Sequence, residues 1–231
     1  MRNNFELTLY EDSAELVVVV AGEAMEMILR QLAEKKIFHI ALTGGPLGIE
    51  FAQKLVGLMN HAGDLMGLNI WFSDERFDTT DSPLRNSRPV RDGLKNSSVK
   101  VHEVDSSDGG GSVFEAAQSY EAQLRGVTMD VCILGLGFDG HVASLFPEHW
   151  SSQATEAAIA VADSPKPPAE RVSFSMAFIN ASDQVWIIAS GKIKAAAAKA
   201  VLEADASVPA GHVQASGLTR LLLDSEAFSN K

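Results

Sequence analysis

The chain has 231 residues, 46% of them hydrophobic, with thirty Asp and Glu against nineteen Lys and Arg and a formal net charge of −11. That composition supports a sizeable core and excludes wholesale disorder, and the length suits one α/β domain. The acidic balance argues against a nucleic-acid partner, which needs a basic face, and means that any anionic ligand must be held by a local group of donors.

Strand-like and helix-like segments alternate along the chain, the pattern of an α/β sheet covered on both faces. Residues 5–10 read as a strand. Residues 11–36 read as a long helix, with Leu16, Val20, Met27 and Leu32 among its apolar positions and Lys35 and Lys36 suited to the negative end of the helix dipole. The apolar run at 17–21 is short and flanked by Glu15 and Glu23, so no membrane partner is expected. The first ten residues lack the apolar region of a secretory signal, and cytoplasmic residence is the expectation. A strand at 37–42 leads through a glycine turn to a helix at 48–61, and a third strand at 68–72 ends in Ser73-Asp74-Glu75-Arg76. Residues 99–104 are a predicted strand and 112–125 a predicted helix, joined by a loop rich in Ser, Asp and Gly. Further strands are predicted at 157–162 and 184–190. Between them the proline-rich stretch 163–168 is read as a loop beside the site, being too short to force a domain split. A helix over 191–204 and a strand over 218–223 complete the pattern.

The most informative stretch is an apolar run around 131–136 that breaks into Gly137, Asp139, Gly140 and His141. It reads as a buried strand delivering a loop at its carboxyl end, where open parallel sheets bind ligands. A carboxylate two residues from an imidazole can fix its tautomer and make the other ring nitrogen a better proton acceptor, as a water-activating base requires. The same residues also suit a loop histidine merely capped by Asp139. Thr43-Gly44-Gly45 falls between a predicted strand and helix, where small residues let backbone amides approach an anion; a plain turn is the alternative. Arg76 can clamp a phosphate or carboxylate through two parallel hydrogen bonds, although an Asp-Glu-Arg triplet also occurs as a solvated charge cluster. Cys132, the single cysteine, lies inside the apolar strand and is expected to be an inert thiol. His39, His61, His102, His149 and His212 have no metal-ligand spacing, so no metal is expected.

Gly-Leu-Gly-Phe-Asp-Gly-His-Val-Ala-Ser-Leu-Phe-Pro at 135–147 resembles the signature of the 6-phosphogluconolactonases, a branch of the superfamily that includes glucosamine-6-phosphate deaminase. Leu42-Thr43-Gly44-Gly45, Asp74-Glu75-Arg76, Arg171-Val172-Ser173-Phe174 and Gly191-Lys192-Ile193-Lys194-Ala195 follow the family's order, so the likeness spans about residues 37 to 225. It implies a Rossmann-like, mostly parallel sheet with helices on both faces in a single domain. It also implies hydrolysis of 6-phospho-D-glucono-1,5-lactone in the oxidative pentose phosphate pathway, without a cofactor. In that reading His141 is the base, Asp139 orients it, and Arg76 or a glycine-loop amide stabilises the oxyanion. Thr43, Gly44, Gly45, Arg171 and Lys194 hold the phosphate, with Asp74 and Asn86 assigned to the substrate site and Asn86 in a supporting role. The family usually has Ser-Gly-Gly-Ser-Thr-Pro at the glycine turn; Pro46 and Leu47 here replace two hydroxyl residues, and Pro46 lacks an amide donor. Arg85 likewise replaces the usual serine before Asn86. A monomer or small homo-oligomer is expected. The rival deaminases or isomerases typically continue Asp-Gly-His as Ile-Ala-Phe-Asn-Glu-Pro, unlike Val142-Ala143-Ser144-Leu145-Phe146-Pro147. A non-catalytic sugar-phosphate sensor is disfavoured because no basic or helix-turn-helix segment precedes the first strand.

Overall fold

Seven parallel strands form the main sheet of the structure, a computed structural model that describes residues 4–35 and 37–228. In chain order the elements are β1 (Phe5–Tyr10), α1 (Ser13–Lys35), β2 (Phe38–Leu42), α2 (Gly45–His61), β3 (Leu68–Phe72), β4 (Asp74–Arg76), α3 (Arg88–Gly93) and β5 (Lys100–Val101). Then come α4 (Val113–Gln123), β6 (Val131–Gly135), β7 (Ala158–Val161), β8 (Arg171–Phe174), α5 (Met176–Ala181), β9 (Gln184–Ala189), α6 (Ala195–Glu203) and β10 (Leu218–Asp224). The spatial order is β1-β10-β9-β6-β2-β3-β5. From β2 the chain winds outward through β3 to β5, then returns to β6 on the other side of β2 and winds outward again through β9 and β10. The winding direction therefore reverses between β2 and β6, and ligands of open parallel sheets bind beyond the strand ends at such a reversal.

The inner strands read as near-continuous apolar runs because each lies between two helical layers. Alternate side chains enter different cores. Ile40, Val131 and Ile133 pack on the face covered by α1 and α2, whereas Ala41, Cys132 and Leu134 pack on the face of α4 and α6. This is the mostly parallel α/β architecture expected from the sequence.

Four departures concern the site. The predicted strand at 157–162 is β7, but it belongs to a separate three-stranded antiparallel sheet in the order β4-β8-β7, not to the main sheet. Asp74-Glu75-Arg76 is a strand of that small sheet rather than the tail of β3. Helix α2 begins at Gly45, three residues before the predicted start, because Pro46 sits in the first turn, where its missing amide costs no helical hydrogen bond. The predicted helix at 191–204 is a 3-10 turn over Lys192–Lys194 followed by α6. Gly191 precedes that turn with φ +89°, a conformation suited to glycine. Elsewhere β5 is two residues of the predicted six, and α3, β8 and α5 were not anticipated. Lys36, assigned to the first helix, lies outside the described residues.

Candidate active site

The loop leaving β6 is shaped by hydrogen bonds within a few residues. The Gly137 amide donates to the His141 carbonyl at 2.8 Å, and the Gly140 amide to the Gly137 carbonyl at 3.1 Å. Gly140 has φ +80°. A side chain at 137 would strike the His141 ring and the Asp139 carboxylate, so glycine there is what lets these two side chains hold their positions. The closed loop brings His141 Nδ1 against Asp139 Oδ1. An ionised carboxylate only accepts, so Nδ1 carries the proton and Nε2 is left as the acceptor. The Phe146 ring, 4.7 Å from the imidazole centroid, covers the histidine from the side.

His141 opens onto a cavity of about 300 Å³. Its walls include Thr43, Gly44 and Gly45 from the end of β2, Asp74 and Arg76 from β4, and Arg171 and Lys194. Lys166, from the loop between β7 and β8, completes them. The β2 and β6 ends are tied together where the Gly135 amide donates to Thr43 Oγ1 at 3.0 Å. Gly44 packs so closely on the Asn86 side chain that a methyl group there would collide with it. A larger depression of about 540 Å³ lies between α2 and α3, where Arg88 pairs with Asp92 at 3.1 Å. It includes none of the motif residues.

Buried Asp74 organises the far wall. Its carboxylate accepts from the Ser144 hydroxyl at 2.7 Å and from Asn86 Nδ2 at 3.1 Å, and it faces Arg171 Nη1 at 3.8 Å. Arg171 also donates to the Pro168 and Lys166 carbonyls, at 3.3 and 2.9 Å. Arg76 donates to the Leu84 carbonyl and to Asn86 Oδ1. Behind them Glu75, fully buried, accepts from the Asn86 and Ser87 amides and pairs with Arg85 at 3.8 Å. Lys194 Nζ donates to the Leu136 carbonyl at 2.7 Å, holding the start of the loop that carries His141.

The electrostatics suit a neutral imidazole. Burial lowers the His141 pKa below its ordinary 6.5, Asp139 pulls in the opposite direction, and the positive charge of Lys166 lowers it further. Burial alone would raise Asp139, but the hydrogen bonds and charge of His141 take it below the usual carboxylate value. Burial also lowers Lys194, helped by repulsion from Lys166. Cys132 is wholly buried and burial raises its thiol pKa, in keeping with an inert role.

The structure thus brings His141, Asp139, Arg76, Thr43, Gly44, Gly45, Asp74, Arg171 and Lys194 to one region. Asn86 is not at the cavity wall; it stands behind Arg76 and Asp74 and braces both. Two contributors went unnamed in the sequence reading. Ser144 was inside the quoted signature, but its partner lies 70 positions away. Lys166 was inside the proline-rich loop, whose position beside the site was the only available clue.

Residues 11–222 match the model of the glucosamine-6-phosphate isomerases/6-phosphogluconolactonase family. A 6-phosphogluconolactonase of Streptomyces coelicolor is 33% identical over 249 aligned positions, covering 99% of this chain and 95% of its own length. That of Mycobacterium tuberculosis is 33% identical, with 96% of each chain covered. Among solved structures, the 6-phosphogluconolactonase of Thermotoga maritima superposes with a TM-score of 0.83 at 26% identity, covering 96% of this chain and 100% of its own. With fold, motif order and full-length similarity in agreement, the chain belongs to the glucosamine-6-phosphate isomerase/6-phosphogluconolactonase family.

Proposed function

We propose that this protein hydrolyses 6-phospho-D-glucono-1,5-lactone to 6-phosphogluconate, the lactonase step of the oxidative pentose phosphate pathway. The observation that carries this reading is that His141, braced by Asp139, opens onto the same cavity of about 300 Å³ as the Thr43-Gly44-Gly45 turn and the cations Arg171 and Lys194. The full-length relatives named 6-phosphogluconolactonase support it.

Hydrolysis needs a held phosphate, a water and a proton carrier. The phosphate is assigned to the Thr43-Gly44-Gly45 turn, the amino terminus of α2, Arg171 and Lys194. Pro46 supplies no amide there, so the cations carry more of the anchoring. His141 Nε2 takes a proton from water as the water oxygen bonds to the lactone carbonyl carbon. The carbon–ring-oxygen bond then breaks, and the imidazolium returns the proton to the departing oxygen. Asp139 keeps the imidazole in the required tautomer and stabilises its cation. In this reading Arg76 or a glycine-loop amide stabilises the developing oxyanion, with Asp74 and Asn86 supporting the wall. All of these residues come from one chain, so a monomer suffices and a small homo-oligomer would leave the chemistry unchanged. Among the described residues no helix is long and apolar enough to cross a membrane. A charged phosphorylated substrate goes with a cytoplasmic location.

The deaminase reading requires a further acid after the histidine. The next acidic residue here is Glu148, which is exposed and outside the cavity wall. The deciding experiment measures lactone hydrolysis beside ammonia release from glucosamine 6-phosphate with one preparation. Ammonia release without lactone hydrolysis would overturn the proposal. In the same assay His141→Ala should lose about 100- to 10,000-fold in rate, the usual worth of a general base.

A further inference from the structure

We propose that Lys166 is a catalytic residue of this site, setting its ammonium against the lactone carbonyl oxygen as negative charge develops there; the inference rests on the lactonase reading above.

The loop between β7 and β8 fixes the backbone of Lys166 from two directions. Its amide donates to Ser164 Oγ at 3.3 Å, and its carbonyl accepts from Ser164 Oγ at 3.1 Å and from Arg171 Nη2 at 2.9 Å. From that anchored position the side chain lines the cavity, with Nζ 4.9 Å from the centroid of the Phe138 ring. Phe138 lies three residues before His141 in the same loop. Lys166 and His141 line the same cavity, and the Lys166 charge acts on the His141 ring, which puts the ammonium on the side of the cavity where the attacking water must be activated.

The other cations each spend some of their donors on the protein and keep the rest for the roles assigned above. Arg76 donates to the Leu84 carbonyl and Asn86, Arg171 donates to two carbonyls and faces Asp74, and Lys194 donates to the Leu136 carbonyl. Among the described residues the Lys166 ammonium touches no carboxylate or carbonyl, only the Phe138 ring. Three N–H donors on one positive charge thus remain for a ligand. A donor held in place before the reaction costs no reorganisation when the oxyanion forms, which is where such groups contribute most. Its electrostatic reach agrees with this placement, since its charge acts on His141, Asp139 and Lys194.

As water adds, its proton passes to His141 Nε2 and the carbonyl electron pair moves to oxygen, where Lys166 donates to it. On collapse the carbonyl re-forms, the bond to the ring oxygen breaks and His141 returns the proton to that oxygen. Lys166 gains and loses no proton.

The test compares Lys166→Gln and Lys166→Arg with wild type, using both the phosphorylated lactone and unphosphorylated gluconolactone. For Lys166→Gln, kcat should fall roughly 100- to 1,000-fold on both lactones, the range seen when one oxyanion donor is removed, with KM changing far less. Titration of the His141 ring by NMR in the free protein provides a second readout. Asp139 from its own loop, Lys166 from the β7–β8 loop and Asp74 from β4 face that ring, with Arg171 and Lys194 on the same cavity. Removing the Lys166 charge should move the titration to higher pH, whereas Lys166→Arg should leave it near wild type and recover part of kcat. Unchanged kcat, or a rise in KM for the phosphorylated lactone alone, would overturn the proposal, the latter result making Lys166 a phosphate anchor. A wild-type protein inactive on both lactones would instead reject the lactonase reading itself, and this proposal with it.

Discussion

Replacing Asp74 with alanine strips the far wall of the site of its central acceptor. The carboxylate is 5% exposed, and Arg171, opposite it, is 4% exposed, so neither charge can recover its partner from water. Removing one member of a buried ion pair typically costs about 3–5 kcal/mol, because the surviving charge stays buried. The Ser144 hydroxyl and the Asn86 amide lose an acceptor in the same step. The Pro168 and Lys166 carbonyls still serve Arg171, which keeps the expected loss near the lower end of that range. For a chain of this size, a loss of about 3–5 kcal/mol lowers Tm by roughly 6–20 °C. Denaturant and thermal unfolding of Asp74→Ala beside Asp74→Asn would measure it, with the amide variant retaining its shape and some hydrogen bonds and losing less. A Tm within about 2 °C of wild type for Asp74→Ala would refute the assignment of Asp74 as the bracket of this wall.

Gly137→Ala should abolish turnover while leaving the global fold intact, since the added methyl occupies the space of the His141 ring and the Asp139 carboxylate; an active variant would show that the loop does not need this closure. Arg171→Ala or Lys194→Ala should raise KM about tenfold to a hundredfold for the phosphorylated lactone and far less for the unphosphorylated one, from the roughly 1.5–3 kcal/mol of a charge-assisted hydrogen bond. Equal effects on both lactones would remove these residues from phosphate binding. Burial lowers the pKa values of His39, His102 and His141 below 6.5 in the folded protein, so the unfolded chain binds their protons first as the solution is acidified. Stability from these groups is therefore complete above about pH 6.5 and falls as pH drops through the lowered values. Urea midpoints at pH 7.5 and 5.5 should show the loss, and a midpoint that rises on acidification would contradict it. Under the proposed mechanism the same lowering should leave His141 a competent base at neutral pH, so kcat/KM should hold through neutral pH and decline on acidification; a decline beginning above neutral would contradict it.

Much of the fold was readable along the chain because inner parallel strands are apolar on both faces, and residues such as Ile133 and Leu134 announce that locally. The same applies to the break at Gly137, Asp139 and His141, where the candidate carboxylate–imidazole pair lies within three positions. Motif order extended this to Thr43-Gly44-Gly45, Arg76, Arg171 and Lys194. The strand β7 was readable, but its pairing into a separate β4-β8-β7 sheet was not, because the short strands β4 and β8, bearing Asp74, Glu75, Arg76 and Arg171, carry no apolar period. Asp74 is buried opposite Arg171 and Glu75 opposite Arg85, partners that only the fold brings together. Pairing across the fold likewise assigned Asp74 to Ser144 and Arg171, Asn86 to a place behind the wall, and the Thr43 hydroxyl to the Gly135 amide. Lys166 is the plainest case. In the chain it is one lysine among prolines, and it lines the same cavity as His141 only because its loop folds back onto Arg171 and against Phe138. Local burial and turn chemistry leave a periodic record in sequence, whereas contacts between side chains tens of residues apart depend on strand order and loop direction, which no local period encodes.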